Sequence, residues 1–239
     1  MKKMKWKKSL TLTASAALAL SLLVGCGAQP AEQSSTESKA VGTVLLSVNP
    51  EIEVEYDKSG LVLEIEGLNE DGKTVVKDVK NYQGKDCRTV VNELVREIYD
   101  DGYFEKTVDG HTKNIVLKLE EGSVYVSDEF LQDVADGVRE TVQECGVGAK
   151  AMTVSEGDLD DAGHIGQNKA KELVLAQLGL ESASFHDHEY ELDDGVYEFE
   201  FTAGGVEYEY EVDARTGKVL EADIDGNDDW DDRDDWDDK

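Results

Sequence analysis

The stretch VLLSVNPEIEVEYDKSGLVLEI, residues 44–65, sets apolar side chains at alternate positions on both sides of an Asn-Pro pair. Val44, Leu46 and Val48 share one face, Ile52, Val54 and Tyr56 another, and Leu61, Leu63 and Ile65 line up after the turn Asp57-Lys58-Ser59-Gly60. A side-chain period of two is that of half-buried strands, so the stretch reads as a three-stranded antiparallel meander. Its first corner is Asn49-Pro50.

Reading outward, Asn69-Glu70-Asp71-Gly72 closes the meander as a polar turn. Helical spacing takes over from Lys85 to Asp100, with Val91, Leu94, Val95 and Ile98 on one stripe and Gly102 just past the end. Asn114 to Glu120 is a strand. Ser127 is positioned to cap a second helix whose stripe is Phe130, Leu131, Val134, Val138 and Val142, and Ala149 to Ser155 returns as a strand. Asp158 to His164 is a polar hinge. Beyond it Ile165, Ala170, Leu173, Val174 and Leu178 keep helical spacing up to Gly179. Four short strands follow, and in VYEFEF and VEYEYEV the aromatic and glutamate faces separate cleanly. The fold class expected is α+β, with two small domains over residues 41–156 and 163–224, each an antiparallel sheet packed by one or two helices.

The N-terminus has the form of an export signal. Lys2, Lys3, Lys5, Lys7 and Lys8 precede an apolar run from Leu10 to Val24 that is too short and too interrupted to span a bilayer. Leu23-Val24-Gly25-Cys26 resembles a bacterial lipobox, which implies removal of residues 1–25 and a diacylglycerol on Cys26. Such an anchor would hold the protein at the outer face of the cytoplasmic membrane. Residues 26–40, rich in Ser, Gln and Glu, read as a disordered tether, and 225–239 as a disordered acidic tail. The formal charge is −30, and −35 once the five lysines of the signal are gone. That field repels nucleic acid and attracts cations or basic peptides.

Two resemblances become specific at this point. LLSVNPEIEVEYDKSGLVLEIEGLNEDGK, followed by GKD and a helix, then NIVLKL and a second helix, resembles the extracytoplasmic middle domain of the RsgI family of anti-sigma factors. The Asn-Pro-x-Ile-Glu corner and the Leu-Asn-Glu-Asp-Gly turn carry most of it. Chemistry alone marks the Asn-Pro bond: proline has no N–H, so the usual succinimide route through the following backbone nitrogen is closed. What is left is attack of the Asn49 side-chain nitrogen on its own carbonyl, expelling Pro50. The resemblance implies self-cleavage at Asn49-Pro50; the other reading is a plain turn. Little more than Met1 to Lys8 precedes the hydrophobic run, so a sigma-binding segment and anti-sigma activity are not expected here. The second resemblance is to a PepSY domain, carried by GVYEFEF and YEYEVDARTGKVLEADID. It implies a binding or regulatory module, with surface peptidases as one class of partner. Together with the lysine-rich signal, the resemblances point to a Gram-positive bacterium.

Other candidate sites are thinner. His186 and His188 lie on one strand face and would take a metal only with further ligands from elsewhere. Asp223, Asp225, Asn227 and Asp229 alternate like the ligands of a calcium loop, but Gly226 is misplaced and the distal bidentate Glu is missing. No cofactor is expected beyond a low-affinity Ca²⁺ site there. Cys87 and Cys145 could form one disulfide or stand as two separate thiols. The chain contains no nucleophile elbow, phosphate loop or zinc signature. A non-enzymatic surface lipoprotein that binds, senses or regulates is the reading, with the self-cleaving signal transmitter, the peptidase inhibitor and the cation-binding protein as rivals.

Overall fold

The computed structural model describes residues 39–105, 107–108, 111–186 and 192–225. Strands β1 (Ala40–Ser47), β2 (Glu51–Asp57) and β3 (Val62–Gly67) form the meander, followed by the short helix α1 (Glu70–Val76) and helix α2 (Cys87–Asp100). A two-residue hairpin, β4 (Thr107–Val108) with β5 (His111–Thr112), leads to β6 (Ile115–Leu119), α3 (Phe130–Glu144) and β7 (Ala151–Val154). The second part is α4 (Gln167–Leu178), β8 (Ser184–Phe185), β9 (Leu192–Asp193), β10 (Val196–Ala203), β11 (Val206–Asp213) and β12 (Val219–Asp225). The class is α+β, with two main sheets, the small β4–β5 pair and four α-helices among the described residues.

The first sheet has the order β3-β2-β1-β6-β7, which puts β1 in the centre, antiparallel to both β2 and β6. Val44, Leu46 and Val48 of β1 and its exit pack with Ile52, Val54 and Tyr56 against Val91, Leu94 and Ile98 of α2 and Val134 and Val138 of α3. Each such side chain, fully buried, contributes about 1.5–3 kcal/mol. The opposite face of the same sheet is covered too: Val116 and Val154 join the second core with Ile165, Leu173, Val174, Phe199, Phe201 and Tyr210.

Five local expectations are corrected. β7 pairs with β6 in parallel rather than antiparallel fashion, because α3 carries the chain back to the starting end of the sheet. A bulge opposite Glu55 and Tyr56 shifts β3, so Val62 and Ile65 enter the core while Leu61 is 36% exposed. The polar run Asn69–Gly72 opens helix α1 rather than making a turn: the Asn69 side chain accepts from Gly72 N. At α3 the N-cap is Glu129 with no side-chain bond, and Ser127 contributes its backbone carbonyl to Phe130 N. The segment expected as a hinge is folded: Asp160 Oδ1 accepts from the backbone of Ala162 and His164, Leu159 bridges to Ile165, and Ile165 N donates to Ala214 O.

Helix α2 has a side-chain cap, Asp86, which accepts from Thr89 N at 2.9 Å and from Thr89 Oγ1 at 2.7 Å. Partial burial by itself would raise the Asp86 pKa, but the Thr89 bonds outweigh it and hold the carboxyl below 3.8. A carboxyl lowered on folding stabilises the native state above its unfolded pKa and loses that effect as pH falls through the lowered value. Asp86→Ala is therefore expected to cost about 1 kcal/mol at neutral pH. The difference from wild type should shrink in chemical denaturation as pH falls through the lowered Asp86 value.

The second sheet, β12-β11-β10-β8, packs Tyr197, Phe199, Phe201, Tyr210 and Val212 against α4. Its other face is open and acidic. Cross-strand register aligns Glu198, Glu211 and Glu221 in one row and Glu200, Glu209 and Asp223 in the next. Like charges directly opposite one another destabilise a sheet. Glu209→Lys, at the middle of the second row, is expected to raise stability by about 0.5–1 kcal/mol. The gain should shrink in high salt, as thermal unfolding would show.

Candidate functional site at the Asn49-Pro50 corner

Ser47 ends β1 and Glu51 begins β2, so three residues, Val48, Asn49 and Pro50, make the corner, with Pro50 buried and Asn49 half-buried. Val48 N donates to Pro50 O at 3.2 Å across it. The run GLNEDG, residues 67–72, folds directly against this corner. Asn69 Oδ1 accepts from Gly72 N at 2.7 Å as helix cap and from Glu51 N at 3.2 Å, while Leu68 N donates to Glu51 O at 2.8 Å. A glycine is required at 72, since a Cβ there would lie 2.2 Å from Glu51 O.

The Asn49 side chain meets a carboxylate: its Nδ2 donates to Asp71 Oδ2 at 3.0 Å. On the other oxygen, Tyr103 OH donates to Asp71 Oδ1 at 3.2 Å. Burial first, and then the Asp71 charge and this bond, push the Tyr103 phenol above its ordinary pKa and keep it a donor. Asp71 thus lies where it can take a proton from the one nitrogen able to attack the Asn49 carbonyl.

From the other side the second domain reaches the same corner. Glu51 Oε2 pairs with Arg215 Nη2 and Oε1 with Lys218 Nζ, each at 2.7 Å, and the Glu51 side chain is only 10% exposed. Lys118, buried on the far face of β6, donates its Nζ to Arg215 O at 2.9 Å and pairs with Glu120. Burial first, then repulsion from Glu120 and Glu66, raises the Glu53 carboxyl on this face.

The remaining sequence candidates do not converge on this place. His186 approaches Thr202 Oγ1 at 3.3 Å and Glu200 Oε2 at 3.8 Å on the open sheet face; His188 lies outside the described residues. Asp223 and Asp225 belong to strand β12, paired with Glu209 and Glu207, while Asn227 and Asp229 lie outside the described residues. Among the described residues no group of three or more His, Cys, Asp or Glu side chains could hold a metal ion. Cys87 and Cys145 are free thiols; burial, and after it the Asp86 charge, pushes Cys87 up to about 12. Cys26 lies outside the described residues, and no described helix is long and apolar enough to cross a membrane.

The site is therefore one of an α+β module whose strand corner is gripped by both of its main sheets. By sequence, the chain belongs to the anti-sigma factor RsgI-like central domain family, whose profile matches residues 41–176. A second profile, the peptidase propeptide and YPEB domain (PepSY), matches residues 165–223. The two overlap over residues 165–176, which takes in most of α4. The chain is similar to the anti-sigma-I factor RsgI of Bacillus anthracis, 27% identical over 67 residues, which is 28% of this chain and 15% of that protein. It is also similar to the anti-sigma-I factor RsgI of Bacillus subtilis (strain 168), 25% identical over 72 residues, 30% of this chain and 19% of that protein. The matched part spans less than a fifth of the length of either relative.

Proposed function

We propose that this chain is an extracytoplasmic regulatory module, lipid-anchored through Cys26, in which the Asn49-Pro50 bond is a self-cleaving link between the anchor and the folded body. The observation that carries the reading is the hydrogen bond from Asn49 Nδ2 to Asp71 Oδ2 at 3.0 Å. In the step, Nδ2 loses a proton to Asp71 and bonds to the Asn49 carbonyl carbon. The bond from that carbon to Pro50 N breaks, and Pro50 N gains a proton. The first piece then ends in a succinimide ring and the second begins with the free imino group of Pro50.

Such a cut would leave the body assembled. The piece ending at Asn49 contains the whole of β1, the central strand, which is hydrogen-bonded to β2 on one side and β6 on the other. Separation would require drawing β1 out along its own axis, breaking both ladders together. Signal transmission would then consist of releasing the body from its anchor. With residues 27–239 as the test chain, the two pieces should co-elute in native size-exclusion chromatography and separate in denaturing electrophoresis. Co-migration as a single chain under both conditions would remove the reading.

The open acidic face of the second sheet supports a companion role, the capture of a basic partner such as a cationic segment of a surface peptidase. The aligned rows of Glu and Asp on β10, β11 and β12 favour it by charge complementarity. Binding of an oligolysine peptide that weakens steeply with salt, and is lost in Glu200→Lys/Glu209→Lys, is the expected result. Equal binding by that variant would contradict it.

A further inference from the structure

Breaking the Asn49-Pro50 bond requires Nδ2, the carbonyl carbon and the proline nitrogen to keep a narrow mutual geometry. The residue that fixes the departing side is Glu51, held at three points. Its N–H is bonded to Asn69, its carbonyl to Leu68, and its carboxylate to Arg215 and Lys218. Only the third anchor crosses between the two sheets, linking residues 164 and 167 positions apart in sequence.

The turn that delivers this anchor is itself rigid. Asp213 Oδ1 accepts from Arg215 N at 2.9 Å and Thr216 N at 2.7 Å, and Thr216 is fully buried. Gly217 adopts φ +72, a conformation L side chains rarely take, while packed against Leu173 and Ile165. Lys118 Nζ holds the Arg215 carbonyl from below. An ion pair whose carboxylate is largely withdrawn from water is weakly screened, so the grip persists at physiological salt.

We infer that Arg215 and Lys218 are positioning residues for the Asn49-Pro50 bond, so that the docked state of the second domain sets how fast the corner breaks. The inference rests on the self-cleaving reading above and adds its regulation. With the turn in place, Glu51 holds Pro50 against the Asn49–Asp71 pair. A partner that lifts the second sheet frees Glu51 and slows the cut.

The test follows the appearance of the fragment beginning at Pro50 with time after cell-free synthesis of residues 27–239. Arg215→Gln/Lys218→Gln should slow it at least about tenfold. The charge-conserving Arg215→Lys/Lys218→Arg should restore a rate near wild type. Thermal unfolding of both pairs in an Asn49→Ala background checks that the second domain stays folded. A neutral double variant that cuts at the wild-type rate overturns the inference and leaves the self-cleaving reading standing. The same follows if the charge-conserving pair, folded, is as slow as the neutral one. A wild-type chain that never cuts overturns both, and is told apart by the wild-type sample alone.

Discussion

Asp71→Asn is expected to slow splitting at Asn49-Pro50 by about a hundredfold or more, the range that loss of a positioned general base covers. Asparagine is isosteric, and its Oδ1 can still accept from Asn49 Nδ2, so the corner keeps its shape while losing the group that takes the proton. Tyr103→Phe, which removes only the donor to Asp71 Oδ1, should have a much smaller effect. Time courses of fragment formation for the two variants measure the contrast. Equal rates for Asp71→Asn and wild type would show that Asp71 orients the amide without accepting its proton.

Gly72→Ala is expected to destabilise the fold by about 3 kcal/mol even though alanine favours helix over glycine by about 1 kcal/mol. The reason is contact rather than propensity. The new Cβ would lie 2.2 Å from Glu51 O and 3.1 Å from Asn69 Oδ1, and the first of these is backbone that cannot rotate away. Either α1 withdraws from β2 or the start of β2 moves, and each breaks the Asn69 bond to Glu51 N. Chemical denaturation in an Asn49→Ala background gives the stability. The same substitution in the cleavable chain should also reduce splitting, because it moves Glu51. A stability within 0.5 kcal/mol of wild type would mean that the helix and corner separate at little cost.

Much of this architecture was legible in residues 44–65 because alternation of apolar and polar residues marks strands with one face turned to a core, and the unbroken run Val44-Leu45-Leu46, all buried, falls where β1 is covered on both faces. The β1–β2 register followed the apolar pattern residue for residue, pairing Val44 with Val54 and Leu46 with Ile52. Leu61 and Leu63 misled because a bulge resets the alternation without changing composition. The parallel β6–β7 pair was hidden for another reason: direction depends on where α3 lays the chain down, and β7 is too short to show it. Asn69-Glu70-Asp71-Gly72 read as a turn because capping and turn residues are the same few types.

At the site, Asn49 and Pro50 could be singled out from their chemistry, whereas Asp71 and Tyr103 are ordinary residues until α1 and the segment after α2 bring them to the corner. The one signal pointing to Asp71 was that the Leu-Asn-Glu-Asp-Gly run accompanies the Asn-Pro corner. Arg215 and Lys218 gave no such signal. They lie in a turn that reads as a connector between strands, and their partner Glu51 is one of 54 acidic residues in the chain, so no pairing could be picked out.

The most direct measurement is intact mass under denaturing conditions for residues 27–239, beside Asn49→Ala. Two species are expected in the wild type, one ending at residue 49 and one beginning at Pro50. Their masses should sum to that of the uncut chain, or to that plus one water after hydrolysis of the ring, with a single species in the variant. One uncut mass in both would contradict self-cleavage, and the corner would then be a turn held between two sheets.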